Sequence, residues 1–454
     1  MLAGLLARAR ATIAPSHGRV AHRAAEPAQT RLGASPFHVR GAVGPTAPPP
    51  LPLWSEDPAT GEPLPEGSSL DLAPGAFRDA RIAHHHGWFP ASAFAAARGD
   101  VTAAAAVVQA LDTWVRQDIP GTGLAWAHAS DLAARLVHWH VGLAWLGSQA
   151  PEWLRAALAG SARWHLEHLR DRMPYGDENL ARRVAHHAGL VVGAFTFPEL
   201  PESRAAWSDG LSGLRFDLPA LLHADGSPRD DAPLHLAETL WYVAIARAVT
   251  RANGGAFPNA ADAAYVRGAR CLERLTGEIR SLPPLGEAPL GDVLTVPDRP
   301  IAWTLWNLVR AWGLDDGPPA PDAATDPRLA WLGADPGHAP VEEAGKTWGM
   351  WVFRESGLSV AHMRIKNRPA RVVAEMGSPA VVGPCTHLSP LHLLWDVGNV
   401  AVLADPGPAI GAGPLTEWLR SPAAHNILLL DGHSLAENVP AELGVARVDG
   451  KKAR

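Results

Sequence analysis

Arg420-Ser-Pro-Ala-Ala-His425-Asn426-Ile-Leu-Leu-Leu-Asp431-Gly432 is the most informative segment of this 454-residue chain. A histidine and an asparagine come directly before four apolar residues and an Asp-Gly turn, and a charged residue stands five positions before the histidine. This pattern predicts a strand with a polar cluster at its start. Upstream, His387 and Asp405 flank another apolar run over 391–404. We therefore expect His387, Asp405 and His425 to meet across neighbouring strands.

The residues around this segment, 341–454, are predicted to form a β-domain. Short apolar runs separated by Gly, Pro and Asn are typical of strands. The predicted strands cover 348–354, 358–366, 371–375, 391–404 and 427–430. A linker rich in Pro, Asp and Ala is predicted over 316–340.

Residues 51–315 are predicted to form a helical domain. The segment 131–147 places five large apolar residues on one helix face, because they recur at spacings of three and four. Similar patterns predict helices over 101–116, 151–170, 180–195, 235–252, 262–281 and 301–313. Many antiparallel pairs of similar length suggest a toroid of helical hairpins. The predicted fold class is therefore α+β, with a helical domain followed by a β-domain.

Composition excludes several classes of protein. The chain is 47% hydrophobic and 19% charged, which is typical of a globular protein with ample core material. A net charge of -6 argues against non-specific nucleic-acid binding. No apolar run approaches the roughly 20 residues that a membrane helix needs. Two cysteines provide no disulfide framework.

The first fifty residues are rich in Ala, Arg and Pro, which predicts a disordered or targeting-like arm over 1–50. The arm contains no distinct apolar core and no cleavage site of a signal peptide. Localisation is therefore left open by these residues alone.

Several motifs, in their order and spacing, resemble those of the heparinase II/III-like polysaccharide lyases. The motifs are Trp54-Ser-Glu-Asp-Pro-Ala-Thr-Gly61, Gly123-Leu-Ala-Trp126 with Arg135, His165 through Asn179 to Phe197-Pro198-Glu199, Asp225-Gly226, His387 with Asp405-Pro406-Gly407, and the Arg420/His425/Asn426 cluster. The resemblance implies an incomplete (α/α) toroid followed by an antiparallel β-sandwich. It also implies a periplasmic or secreted protein that cleaves an acidic, uronic-acid-containing polysaccharide or oligosaccharide by β-elimination, with no cofactor required.

β-Elimination needs a group that neutralises the C5 carboxylate, a base for the C5 proton and an acid for the leaving oxygen. By resemblance, Asn179 stands at the neutraliser position, although Asn is also an ordinary helix N-cap. His235 stands where the family has its tyrosine, and Tyr242 follows on the same predicted helix. His387 is the remaining candidate for proton transfer. The alternative for His235 is a hydrogen-bonded helix residue without a catalytic role.

The other candidate residues concern substrate and metal. Trp126, Arg135, Arg420 and Asn426 are predicted to bind substrate, with a buried structural ion pair as the alternative for the arginines. His387, Asp405 and His425 occupy the positions that hold a structural zinc in some relatives, and two imidazoles with one carboxylate suit that ion. The His84-His85-His86 run is predicted to be a solvent-facing loop.

The chain departs from the family pattern at positions that the family uses for catalysis. Cys385 replaces the first histidine of the β-domain motif, and Ser389 replaces an acid. The sequence also ends about twenty residues past the Asp431-Gly432 turn, so we expect a C-terminally truncated, incomplete sandwich. These departures support an alternative function, a catalytically degenerate protein that binds a polysaccharide or is associated with exopolysaccharide export.

Overall fold

The computed structural model describes residues 85–117, 120–121, 124–126, 129–174, 180–286, 300–316, 326–334, 348–376, 391–398, 400–407, 418–419, 421–427, 429–430 and 433–434. The predicted arm over 1–50 lies outside these residues. Within them, no helix combines the length and the apolar character that crossing a membrane requires.

The first part of the described chain is helical. Its α-helices are α1 (Trp88–Ala97), α2 (Val101–Gln117), α3 (Ala129–Leu146), α4 (Glu152–Asp171), α5 (Leu180–Thr196), α6 (Ser203–Leu221), α7 (Pro233–Ala252), α8 (Asn259–Thr276), α9 (Ile301–Ala311) and α10 (Pro327–Trp331). Short 3-10 helices lie at Leu124–Trp126, Gly147–Gln149 and Gly277–Ile279.

The helices pack in two layers. Helix α3 contacts α1 and α5, and α5 contacts α7, so these helices form an inner layer that is buried almost throughout. Helices α2, α4, α6 and α8 pack outside it and keep polar faces in solvent. Helices of the inner layer approach closely: a Cβ on Gly189 of α5 would lie 2.7 Å from the Cα of Ala133 in α3. Closure of this arrangement into a toroid stays a prediction.

The last part of the described chain forms an antiparallel sheet. Its strands are β1 (Gly349–Phe353), β2 (Leu358–Ile365), β3 (Arg368–Glu375), β4 (Leu393–Val397) and β5 (Val400–Leu403), joined in the order β1-β2-β3-β4-β5. A separate pair, β6 (Leu429–Leu430) and β7 (His433–Ser434), follows a short 3-10 helix, Pro422–Ala424. A helical domain followed by an antiparallel sheet is therefore confirmed. The second layer of a sandwich stays a prediction.

One face of the sheet packs against the C-terminal end of α8. Phe353, Val360 and Val373 of the sheet share an apolar cluster with Cys271 and Leu275 of the helix. The last carbonyls of a helix lack partners within the helix. Beside this cluster, side chains of the sheet supply hydrogen bonds to those carbonyls. His362 Nε2 lies 2.7 Å from the Arg274 carbonyl oxygen, and Arg371 donates to the Leu275 carbonyl oxygen at 2.9 Å.

Two predictions from the sequence require correction. Helix α10 lies inside the predicted linker, and its Leu329 and Trp331 belong to the helical core, so this part of 316–340 is structured. His85 and His86 are buried rather than solvent-facing. The reason is packing: His86 Nδ1 accepts a 2.8 Å hydrogen bond from the Trp139 indole and lies edge-on to Trp114.

Buried histidines make the fold sensitive to acid. Burial, together with the nearby His85, lowers the pKa of His138 from 6.5 to about 3. Burial, with His187 and Arg182 adding to it, lowers the pKa of His186 to about 3. As the pH falls, the unfolded chain therefore takes up a proton at each histidine before the folded chain does. Acid thus favours unfolding between about pH 6.5 and pH 3.

We expect the free energy of unfolding to fall as the pH drops below about 6.5, by roughly 1.4 kcal/mol per pH unit for each of these histidines. Urea denaturation at a series of pH values from about 7.5 to about 5 measures this slope. His138→Gln is expected to make the slope shallower. A pH-independent free energy of unfolding would contradict the prediction.

Candidate functional site

The first component of the candidate site lies where α7 begins. Pro233 occupies the first turn of α7, a position that suits proline because the missing N–H has no partner there. Two residues later, His235 Nδ1 lies 3.0 Å from Asp230 Oδ2, and both side chains are 16% exposed. A carboxylate at Nδ1 fixes the proton there and leaves the lone pair on Nε2. This is the state that a general base requires.

Tyr242, the alternative to His235, has a different character. Its hydroxyl donates to Glu238 Oε1 at 3.0 Å, and its ring is buried. Burial, followed by the charges of Glu238 and Asp131, raises the pKa of Tyr242 well above its ordinary value. A phenol held in its protonated form is a hydrogen-bond donor rather than a base, so the geometry favours His235 for proton abstraction.

The same loop contains an acid that sequence reasoning missed. Burial raises the pKa of Asp231 well above its ordinary value, and the charges of Glu375 and Asp230 raise it further. Asp231 also has a positive φ of 52°, which is uncommon outside glycine. Glu375 ends β3, so a charge at the end of this strand acts on the loop before α7. An Asp-Asp pair separated by one residue from a helix-starting proline was the available sequence signal.

The second component is a buried triad in the β-domain. His392 Nε2 and His425 Nδ1 each lie 3.0 Å from Asp405 Oδ2, and all three side chains are buried. Although burial alone raises the pKa of Asp405, contacts with His392 and His425 lower it well below its ordinary value. The sequence predicted this set with His387 in place of His392. His392 precedes β4, and His387 lies outside the described residues.

The triad fits a divalent metal ion such as zinc. One ligand atom from each residue lies within 4.8 Å of the others. Ligands about 2.0 to 2.1 Å from a tetrahedral zinc ion lie roughly 3.3 Å apart. This is close to the 3.0 Å between each histidine nitrogen and Asp405 Oδ2. Neither ring nitrogen of His392 makes a hydrogen bond of good geometry, although both are buried. Buried imidazole nitrogens of this kind suit a metal better than an apolar environment.

Two of the predicted substrate-binding residues, Trp126 and Arg135, are buried in the helical domain. Arg135 is fully buried, where it donates to the Ala125 carbonyl oxygen at 2.5 Å and to His165 Nε2 at 2.9 Å. Its guanidinium also lies over the Trp126 ring, which is buried against His165. Without an exposed guanidinium, Arg135 holds the Trp126 segment on α3 rather than facing a ligand.

Asn426 is exposed, and its amide bonds to a neighbouring backbone. Its Oδ1 accepts from the Leu393 N–H at 2.9 Å, and its Nδ2 donates to the Leu393 carbonyl at 2.8 Å. These bonds secure the His425 segment to the residue after His392. Asn179, His387 and Arg420 lie outside the described residues, so their predicted roles stay predictions.

The helical domain followed by an antiparallel sheet is a heparinase-like fold. Similar solved structures are a heparinase III (TM-score 0.58, 15% identity, covering 77% of this chain and 55% of that one), another heparinase III (0.51, 14%, 81% and 59%) and a mutant of the heparan sulfate lyase HepC from Pedobacter heparinus (0.50, 15%, 81% and 57%). The chain thus spans less than two thirds of their length. No family model matches it, and no curated protein does.

Proposed function

We propose that this protein is a polysaccharide lyase that cleaves a uronic-acid-containing polysaccharide by β-elimination. The observation that carries the proposal is the His235–Asp230 pair, which lies beside the sheet of a heparinase-like fold. A histidine oriented by a carboxylate is a competent base near neutral pH. The resemblance of the motifs to heparinase II/III-like lyases supplies the reaction type.

In the proposed reaction, His235 Nε2 takes the C5 proton of the uronate. The C4–C5 double bond forms as the bond from C4 to the leaving glycosidic oxygen breaks, and that oxygen receives a proton. Asp231 is a candidate donor because its raised pKa keeps the carboxyl protonated at higher pH. Asn179, which directly precedes α5 in the sequence, is the proposed neutraliser of the C5 carboxylate, and His387 the second proposed proton-transfer group.

The test is the ultraviolet absorbance of the unsaturated product, measured over heparan sulfate, hyaluronan, alginate and bacterial exopolysaccharides. Product from at least one uronate polymer is expected. Folded protein that yields no product from any of them would remove the proposal.

Two observations favour a second candidate, a protein that binds the polysaccharide without cleaving it. The hydroxyl of Tyr242 is hydrogen-bonded to Glu238 within the helical core, and Cys385 replaces a histidine of the family motif. Isothermal titration calorimetry with the same polymers distinguishes the two functions. Binding without product formation would favour the second.

We propose that the triad holds a structural zinc ion. Purified protein is then expected to contain about one zinc per chain, and removal of the metal by a chelator is expected to lower the melting temperature. His425→Ala and His392→Ala should each remove most of the metal, whereas His168→Ala, a histidine of α4, should not. Elemental analysis measures the zinc content. Equal metal content in all variants would contradict the assignment.

A further inference from the structure

Two turns from the two domains bond to each other in a reciprocal manner. The N–H of Ala224 in the helical domain donates to Glu355 Oε2 at 2.9 Å. The N–H of Glu355, in the turn between β1 and β2, donates to Asp225 Oδ2 at 3.2 Å. His223 Nδ1 lies 3.4 Å from the same Glu355 oxygen. We call this arrangement the Asp225–Glu355 clasp.

On the helical side, the clasp belongs to a loop with hydrogen bonds of its own. Asp225 Oδ1 accepts hydrogen bonds from the Ser227 N–H at 3.1 Å and the Ser227 hydroxyl at 2.6 Å. Gly226 has a φ of 89°, and a Cβ there would lie 2.3 Å from the Arg267 carbonyl oxygen of α8. The turn therefore packs closely against α8, and the clasp joins this turn to the sheet. The same loop continues directly to Asp230 and His235.

On the sheet side, the clasp belongs to a corner fixed by backbone hydrogen bonds. The carbonyl of Gly357, two residues after Glu355, accepts the Met376 N–H at 2.8 Å. Next to it, the Glu375 N–H donates to the His392 carbonyl at 3.0 Å. Glu355, Glu375 and His392 therefore lie on one hydrogen-bonded corner of the sheet.

We propose that Glu355 is a positioning residue. It holds the Asp230–His235 pair in a fixed position relative to the corner of the sheet that contains Glu375 and His392. This inference rests on the proposed lyase function. Glu355 is 47% exposed, so its contact with His223 adds little to overall stability. Its effect on rate is larger, because a displacement of about 1 Å between reacting groups can cost about 100-fold.

The variants are Glu355→Ala, Glu355→Gln and a matched control, Arg364→Ala. Arg364 bonds to Glu278 at 2.8 Å, so it also joins the sheet to the helical domain, but away from the loop of His235. The measurements are kcat and KM on the best uronate polymer, and hydrogen exchange of peptides covering 222–235 and 360–375.

Glu355→Ala is expected to speed exchange in 222–235 but not in 360–375, and to lower kcat about tenfold or more with a smaller change in KM. Glu355→Gln should restore most of kcat, because its amide oxygen still accepts the Ala224 N–H. Arg364→Ala should leave both kcat and the exchange of 222–235 unchanged.

Unchanged exchange of 222–235 in Glu355→Ala would overturn the inference, and so would faster exchange with an unaltered kcat. Equal effects from Arg364→Ala would also overturn it, because they would show general weakening of the interface. If the wild-type protein cleaves no polymer, the proposed function fails, while the exchange result still decides whether Glu355 holds the loop.

Discussion

His235→Gln is expected to lower kcat/KM for uronate-polymer cleavage by about 10²- to 10⁴-fold, the usual contribution of a general base. Glutamine keeps a hydrogen-bond donor for Asp230 but cannot take up the C5 proton. Folding should be preserved, because His235 is half-buried at the start of α7 rather than in the core. Steady-state kinetics on the best substrate, with circular dichroism to confirm folding, measures the effect.

His187→Gln is the matched control for this variant. His187 Nε2 lies 2.8 Å from Asp217 Oδ2, so it is also a histidine paired with a carboxylate in the helical domain. His187 belongs to α5, however, and contacts Asp217 of α6 rather than lying beside the sheet. Equal losses in the two variants would show that His235 acts through folding and would contradict its assignment as the base.

Arg371→Met is expected to lower the free energy of unfolding by about 3 to 5 kcal/mol, since it leaves the partners of a buried charge unsatisfied. Arg371 is buried, and its guanidinium donates to Asp396 Oδ2 at 2.7 Å and to the carbonyls of Leu275 and Ser281. Methionine preserves much of the volume but none of these bonds. Chemical denaturation measures the difference.

Arg364→Met serves as the control for stability. Its ion pair with Glu278 is 41% exposed on the arginine side, and pairs of this kind contribute at most about 1 kcal/mol. The double variant Arg371→Met with Asp396→Leu should recover part of the loss, because it also removes the unpaired carboxylate. Similar losses from the two single arginine variants would refute the assignment of Arg371 as a buried anchor.

Most helices were predictable because periodicity reports burial directly. The pattern over 131–147 corresponds to α3, and that over 180–195 to α5. Helix α6 was missed, because Gly210 and Gly213 lower its helix propensity. Tertiary packing explains both residues: a Cβ on Gly213 would lie 2.1 Å from the His187 ring, and one on Gly210 would lie 2.7 Å from the His187 carbonyl oxygen.

The candidate site was less predictable, because its components come from distant parts of the chain. Motif order pointed to His235, Asp405 and His425 as candidates. His392, which lies 3.0 Å from Asp405, was not among them, and the role of His387 stays a prediction. The effect of the Glu375 charge on the Asp231 pKa depends on how the loop before α7 is placed relative to the end of β3. No local pattern encodes that placement, since the two residues are more than a hundred positions apart.

His362 and Arg371 of the sheet cap α8. Although the secondary structure changes from helices to strands after α8 and the helices that follow it, we therefore do not expect the two parts to fold independently. A fragment ending before the sheet would lose the partners of the Arg274 and Leu275 carbonyls and expose the apolar surface around Cys271. We therefore expect the two halves to unfold as one cooperative unit, and neither to be soluble when expressed alone.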